Sequence, residues 1–203
     1  MRIPRNARSM LLCAALLTLA APPVAADVIL APGSTWEYTF TDPGAGWNTT
    51  TGGWATGPAP FGNYLGGSYD PAGDFNYRTL WPADGADGYD LWVRTSINLT
   101  NFDLASVLWG LGVDNGFALY ANGVLIAAAN GEGYTYRWEY SGGFAPGVLN
   151  QGLNVIAVAL EDHGGLTAFD MQITGTPSVP EPTTMLLLGT GLVGMAVLRR
   201  RRR

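Results

Sequence analysis

Two short apolar runs, each flanked by arginines, bound the part of this chain that can fold in water. Near the start, Arg2, Arg5 and Arg8 precede twelve mainly apolar residues, Met10 to Ala21, followed by Pro22, Pro23 and the small residues Val24 and Ala26. Near the end, sixteen mainly apolar residues, Thr183 to Leu198, lead into Arg199, Arg200, Arg201, Arg202 and Arg203. At about 1.5 Å of helical rise per residue the two runs reach about 18 and 24 Å, against a hydrocarbon core of about 30 Å. The first is too short to span, and its basic, apolar and small-residue order is that of a secretory signal peptide helix, cleaved between Ala26 and Asp27. The second predicts a short transmembrane helix over 183–198 whose arginines snorkel to the interface. Arginine stays on the cytoplasmic side, so residues 27–178 are expected outside the inner membrane, a localisation that excludes a cytoplasmic enzyme.

The exported part, Asp27 to Ser178, is 152 residues long and suits one domain. The only cysteine, Cys13, lies in the signal segment after Leu12 rather than after the small residue that a lipoprotein signal wants. Removal of the signal therefore leaves no cysteine for a disulfide, a nucleophile or a metal. Packing alone must stabilise the mature protein. The same segment holds fifteen carboxylates against three arginines, Arg78, Arg94 and Arg137, and no lysine, a formal charge of −12. The chain's overall −5 hides this, because eight of its eleven arginines belong to the two end segments. Such a charge repels nucleic acid and anionic membrane and is compatible with neutral glycans or calcium.

Short alternating runs between turn residues predict an all-β fold, an antiparallel sandwich. Trp36, Tyr38 and Phe40 alternate with polar neighbours, as do Leu91, Val93, Thr95, Ile97 and Leu99, and then Phe169, Met171 and Ile173. Asn122-Gly123, between two apolar runs, predicts a hairpin over 117–127, with another turn at Asp114-Asn115-Gly116. Asn154 to Leu160 is apolar on both faces and is expected to be a central strand. The stretch 42–88 is dense in Gly, Pro, Asp and Asn and predicts long loops with at most one strand, where a rigid scaffold usually carries its ligand contacts.

The tail, Val179-Pro180-Glu181-Pro182 followed by the apolar stretch 183–198 and the arginines 199–203, resembles the PEP-CTERM sorting signal of Gram-negative bacteria. That resemblance implies recognition by an exosortase, a membrane cysteine transpeptidase, with processing near Pro180-Glu181-Pro182. The exported segment resembles jelly-roll modules of the galactose-binding-domain-like type. Trp54-Ala55-Thr56-Gly57-Pro58-Ala59-Pro60-Phe61-Gly62, Trp92-Val93-Arg94, the run from Val113 to Val124 and Gly152-Leu153-Asn154-Val155-Ile156-Ala157-Val158 carry the likeness in order. It implies a β-sandwich, often with structural calcium, often acting in adhesion or carbohydrate recognition. Asn115 stands where a second aspartate is common.

Catalytic groups are thinly supplied. His163 is the only histidine, no Gly-x-Ser-x-Gly elbow accompanies it, and no further nitrogen or sulfur ligands lie beside it, so a triad or transition-metal centre has no parts. Glu37, Glu132, Glu139 and Glu161 have the residue type for glycoside cleavage, but their context singles out no pair. Calcium is the more credible ion: Asp84, Asp87 and Asp90 recur at spacing three in a glycine-rich loop, with Asp70 and Asp74 upstream. Trp47 and Tyr69, in predicted loops, are the candidate glycan contacts, since aromatic faces stack on pyranose rings. The sequence thus describes a non-enzyme: a signal peptide at 1–26, a β-sandwich at 27–178 and a sorting signal at 179–203. Its expected partners are signal peptidase, exosortase, the inner membrane and an exopolysaccharide, and its role is structural or adhesive. A dedicated carbohydrate-binding module is the alternative reading and a glycan hydrolase the third.

Overall fold

The computed structural model describes residues 25–63, 77–83, 88–131, 137–178 and 199–200. Their regular structure is twelve strands, one 3-10 turn, Leu104–Ser106, and the helical residues 199–200. The strands are β1 (Asp27–Leu30), β2 (Thr35–Thr39), β3 (Ala55–Pro58), β4 (Phe61–Gly62), β5 (Thr79–Leu80), β6 (Tyr89–Asn98), β7 (Leu108–Asp114), β8 (Gly116–Ala121), β9 (Val124–Asn130), β10 (Tyr140–Gly143), β11 (Leu153–Glu161) and β12 (Ala168–Gly175).

They form two six-stranded sheets, a β-sandwich. The first runs β10-β7-β12-β4-β5, with β1 also paired to β12, and the second runs β3-β2-β6-β11-β8-β9. All pairings are antiparallel except β4 with β5. Alternation decides which side chains meet between the sheets. On β6, Leu91, Val93 and Ile97 face inward and are buried with Ile156, Val158 and Leu160 of β11 and Phe117 and Leu119 of β8. Leu111 and Val113 of β7 and Phe169, Met171 and Ile173 of β12 belong to the same core. Trp36 meets Phe169 edge-on, with ring centroids 5.3 Å apart.

The predicted central strand is β11, flanked by β6 and β8 along most of its length. The expected hairpin is β8–β9, turned by Asn122 at φ 51° and Gly123 at φ 83°, both in the left-handed region that a two-residue turn of this hand requires. One extra residue in β9 shifts the register between Leu119 and Tyr120. The long-loop expectation for 42–88 needs correction, because β3, β4 and β5 all fall inside it. These strands are two to four residues long, and glycines rather than apolar alternation make them possible. A Cβ at Gly57 would overlap the Thr79 side chain, and one at Gly62 would occupy the Tyr77 ring. Strand β7 was likewise masked in the sequence, since Gly110 lies in it where the Trp138 side chain packs.

The end of the sandwich where β11 begins is locked by one amide. Asn154, 1% exposed, accepts from Asn122 Nδ2 and Asn150 N, both at 2.8 Å, and donates to the carbonyls of Asn150 at 2.8 Å and Gly152 at 3.0 Å. All four of its hydrogen-bonding positions are used. Asn154→Ala should strand these buried partners and cost about 3 kcal/mol in urea unfolding, and a loss below about 1 kcal/mol would show that water replaces the amide.

Candidate functional site

Strands β1 and β12 bring the two ends of segment 27–178 together. Asp27, the residue after the expected signal cleavage at Ala26, is the cross-strand partner of Gly175. Beyond Gly175 the chain continues as a small ladder against the β6–β7 connection. Thr176 N donates to Ser106 Oγ at 2.8 Å, Asp103 N to the Thr176 carbonyl at 2.9 Å, and Ser178 N to the Asn101 carbonyl at 2.6 Å. Pro177 bridges Phe102 between them. The sorting residues Val179, Pro180, Glu181 and Pro182 follow directly and lie outside the described residues, as do the signal segment before Ala25 and the expected span 183–198. Among the described residues no helix is long and apolar enough to cross a membrane.

A second feature covers the outward face of the second sheet. The residues of β6 that alternate with the core row are Trp92, Arg94 and Ser96, and Arg94 is 4% exposed. Its Nε lies 2.9 Å from Glu37 Oε2, its two terminal nitrogens donate to the carbonyls of Trp47 at 3.0 Å and Gly52 at 2.7 Å, and its guanidinium lies 3.7 Å from the centre of the Trp54 ring. Glu37 Oε2 also accepts from Gly52 N at 2.7 Å. One half-buried ion pair thus pins the 40–54 loop over the sheet. Trp47 stacks on Trp54 at 6.1 Å and meets Tyr120 edge-on at 5.7 Å, above Trp92, Ala118 and Ala159. Trp47 and Trp54 are both half-buried. Trp54, a residue of the jelly-roll likeness, serves as the lid of the arginine. Beside the ion pair is a shallow hollow of about 120 Å³, lined by residues that include Thr35, Thr51, Thr56 and Ser96.

The first sheet carries a matching anchor that the sequence did not disclose. Asp170, an outward residue of β12, is fully buried and accepts from Gly33 N at 3.1 Å and Met171 N at 2.8 Å, with Arg137 3.7 Å away. Burial raises its pKa, while the two backbone N–H groups and then Arg137 and Arg78 oppose the rise. Gly33, at φ 75°, holds a backbone conformation that disfavours any other residue, and a Cβ there would lie 2.8 Å from an Arg78 nitrogen. The only sequence signal for this cluster was the scarcity of arginine: all three in the exported segment serve these two anchors.

Of the candidate calcium residues, Asp84 and Asp87 lie outside the described residues, and Asp90 Oδ1 accepts from Trp81 Nε1 at 3.1 Å. Among the described residues no group of three or more His, Cys, Asp or Glu could hold a metal ion. Tyr69 also lies outside them. The His163 ring stands 3.4 Å from Glu161 Oε1, and its backbone N donates to Asn115 Oδ1 at 2.8 Å. Glu161 Oε1 in turn accepts from Gly88 N at 2.8 Å, so this carboxylate joins two loops.

Residues 178–203 match the PEP-CTERM protein-sorting motif. The motif begins on Ser178, the last residue of the ladder, so no free linker separates folded domain from sorting signal. It implies export, retention through the C-terminus and exosortase processing. No curated protein matches the chain significantly in sequence. Among solved structures, a β-glucuronidase of an uncultured Clostridium sp. is similar at 13% identity and a TM-score of 0.45, over 75% of this chain and 29% of the other. The β-glucuronidase from Ruminococcus gnavus in complex with D-glucuronic acid is similar at 12% identity and a TM-score of 0.46, over 80% and 31%. This chain therefore spans about three tenths of the length of those proteins.

Two outcomes follow from the anchors. Arg94→Lys keeps the charge but not the three-way hydrogen bonding, so it should cost about 3 kcal/mol and open the 40–54 loop to limited proteolysis. Glu37→Gln, which retains an acceptor for Gly52 N, should do less on both counts. For Asp170 the folded state holds a proton more tightly than the unfolded chain, whose ordinary value is 3.8. The stability from that proton is complete below 3.8 and is lost as the pH rises through the higher folded value. Urea titrations across this window should show wild type losing stability relative to Asp170→Asn as the pH rises, whereas a constant gap would refute the raised value.

Proposed function

We propose that this protein is a non-catalytic structural or adhesive component of the bacterial envelope, exported, held by its C-terminal segment, processed by exosortase and then resident at the surface or in the extracellular polysaccharide matrix. The sandwich is read as a jelly-roll module of the galactose-binding type. The observation that carries this reading is the abutment of the sorting motif on the last hydrogen-bonded residue of the domain, Ser178. A non-catalytic role is supported by how two of the four candidate carboxylates are engaged: Glu37 holds Arg94 and Gly52, and Glu161 holds Gly88 and His163. Each serves as a tie between a loop and a sheet.

A carbohydrate-binding module is the second reading, favoured by the half-buried Trp47, Trp54 and Tyr120 and by a hollow lined by Arg94, on which Trp54 lies. That hollow is smaller than the ~300 Å³ at which enclosed small-molecule sites begin, so contact would be with the surface of a chain rather than with an enclosed sugar. The main reading is tested by expressing the protein with and without exosortase, and with Pro180→Ala and Pro182→Ala together. Intact host and intact motif should give a shortened chain in the surface or matrix fraction, and loss of either should leave the full-mass form in the inner membrane. Equal processing in all three would sink the proposal. Saturable binding of residues 27–178 to one sugar class on a glycan array would move the function to the second reading.

A further inference from the structure

The outward face of the second sheet divides into a covered row and an open one. Cross-strand register sets one outward row as Thr56 of β3, Glu37 of β2, Arg94 of β6, Ala157 of β11 and Tyr120 of β8. The 40–54 loop closes over this row, held by the hydrogen bonds of Arg94 and by Trp47 against Tyr120. Two residues along the strands, the next outward row is Pro58 of β3, Thr35 of β2, Ser96 of β6 and Val155 of β11. Pro58, Thr35 and Ser96 are exposed and Val155 is half-buried. Four strands at a spacing of about 4.8 Å make this open row about 14 Å long.

Between the two rows lies the hollow lined by Thr35, Glu37, Thr51, Thr56, Arg94 and Ser96. Threonine and serine side chains each donate and accept, and Glu37 adds a carboxylate whose position is set from behind. Both ties to that carboxylate, from Arg94 Nε and Gly52 N, end on Oε2, and no hydrogen bond among the described residues uses Oε1. The side chain is 20% exposed, which leaves Oε1 to accept from outside the protein. An acceptor already held in place costs a ligand little ordering.

Charge and backbone pairing narrow the ligand. Apart from Glu37 and Arg94, which neutralise each other, the residues of the hollow and of the open row are uncharged. The formal charge of −12 on segment 27–178 repels a polyanion. An extended peptide finds no free edge on the floor, because β2 lies between β3 and β6, and β6 lies between β2 and β11. A neutral glycan chain needs neither charge nor strand pairing. Its hydroxyls match Thr35, Ser96 and Glu37, and the apolar faces of its rings match Pro58 and Val155.

We propose that the row Pro58, Thr35, Ser96 and Val155 is a surface groove for a linear neutral polysaccharide, which crosses the strands and places a sugar hydroxyl in the hollow against Glu37 Oε1. The groove rests on the carbohydrate-binding reading above and gives it a position, a chain direction and a class of polymer. The 40–54 loop is its wall, and Arg94 serves the binding surface by holding that wall in place.

Full-length protein, in a polyoxyethylene detergent that carries no sugar, is applied to an array of neutral and uronate-containing polysaccharides beside three variants. Ser96→Gln and Thr56→Gln fill the hollow from two different strands with uncharged side chains, and Gln172→Ala alters the outward face of the first sheet. Wild type and Gln172→Ala should bind at least one neutral polysaccharide saturably. Both plugged variants should bind it at least several-fold more weakly, with an unchanged urea midpoint. Binding that both plugs leave unchanged overturns the groove and leaves the carbohydrate reading intact, and so does a preference for the uronate-containing polymers. Absence of saturable binding to every polysaccharide overturns the groove and the carbohydrate reading together.

Discussion

The structure depends on burying two inward sheet faces against each other, because segment 27–178 holds no cysteine that could replace that burial with a covalent bond. Leu91, Val93, Ile156, Val158 and Leu160 from one sheet meet Phe61, Leu111, Phe169, Met171 and Ile173 from the other, each fully or almost fully removed from water. Full burial of such a side chain contributes about 1.5–3 kcal/mol against leaving it exposed, and each strand supplies one every second residue. The register is therefore fixed. A slip by one residue in β11 would put Val155, Ala157 and Ala159 into the core and turn Ile156, Val158 and Leu160 outward.

Outward faces obey a different rule, and there the few cations matter. A chain with fifteen carboxylates and three arginines in its exported part gains nothing from leaving an arginine free in solution. Arg94 is buried instead, where its planar guanidinium meets Glu37, two loop carbonyls and the Trp54 face at once. Arg137 and Arg78 flank Asp170 on the other sheet. Both anchors tie irregular backbone to a regular sheet: the 40–54 loop in one case, and the Gly33 turn between β1 and β2 in the other. The loops that a binding function would need are thereby held by side chains that are themselves engaged.

The long strands were legible because their signal is local. Alternation over 91–99 and 169–173, the double-sided run 154–160 and the Asn122-Gly123 turn each state a geometry within ten residues. Strands β3, β4 and β5 were not legible, because what permits them is a close approach to Thr79 or Tyr77, partners some twenty residues on from Gly57 or fifteen from Gly62. The anchors were hidden for the same reason: Glu37 and Arg94 are 57 positions apart, and Gly33 and Asp170 are 137 apart. Residue type suggested carboxylate chemistry for Glu37, and tertiary contact made it a structural tie. Trp47, chosen from its loop position, lies half-buried against Trp54 and Tyr120, an arrangement that composition cannot distinguish from an open platform.

The sorting tail gives these features a common logic. A strand at the start of segment 27–178 that pairs with the strand at its end brings Asp27 and the start of the sorting motif to one end of the sandwich. Each extra residue of free linker would add about 3.5 Å of reach and loosen the domain's orientation, whereas the ladder from Thr176 to Ser178 removes that freedom.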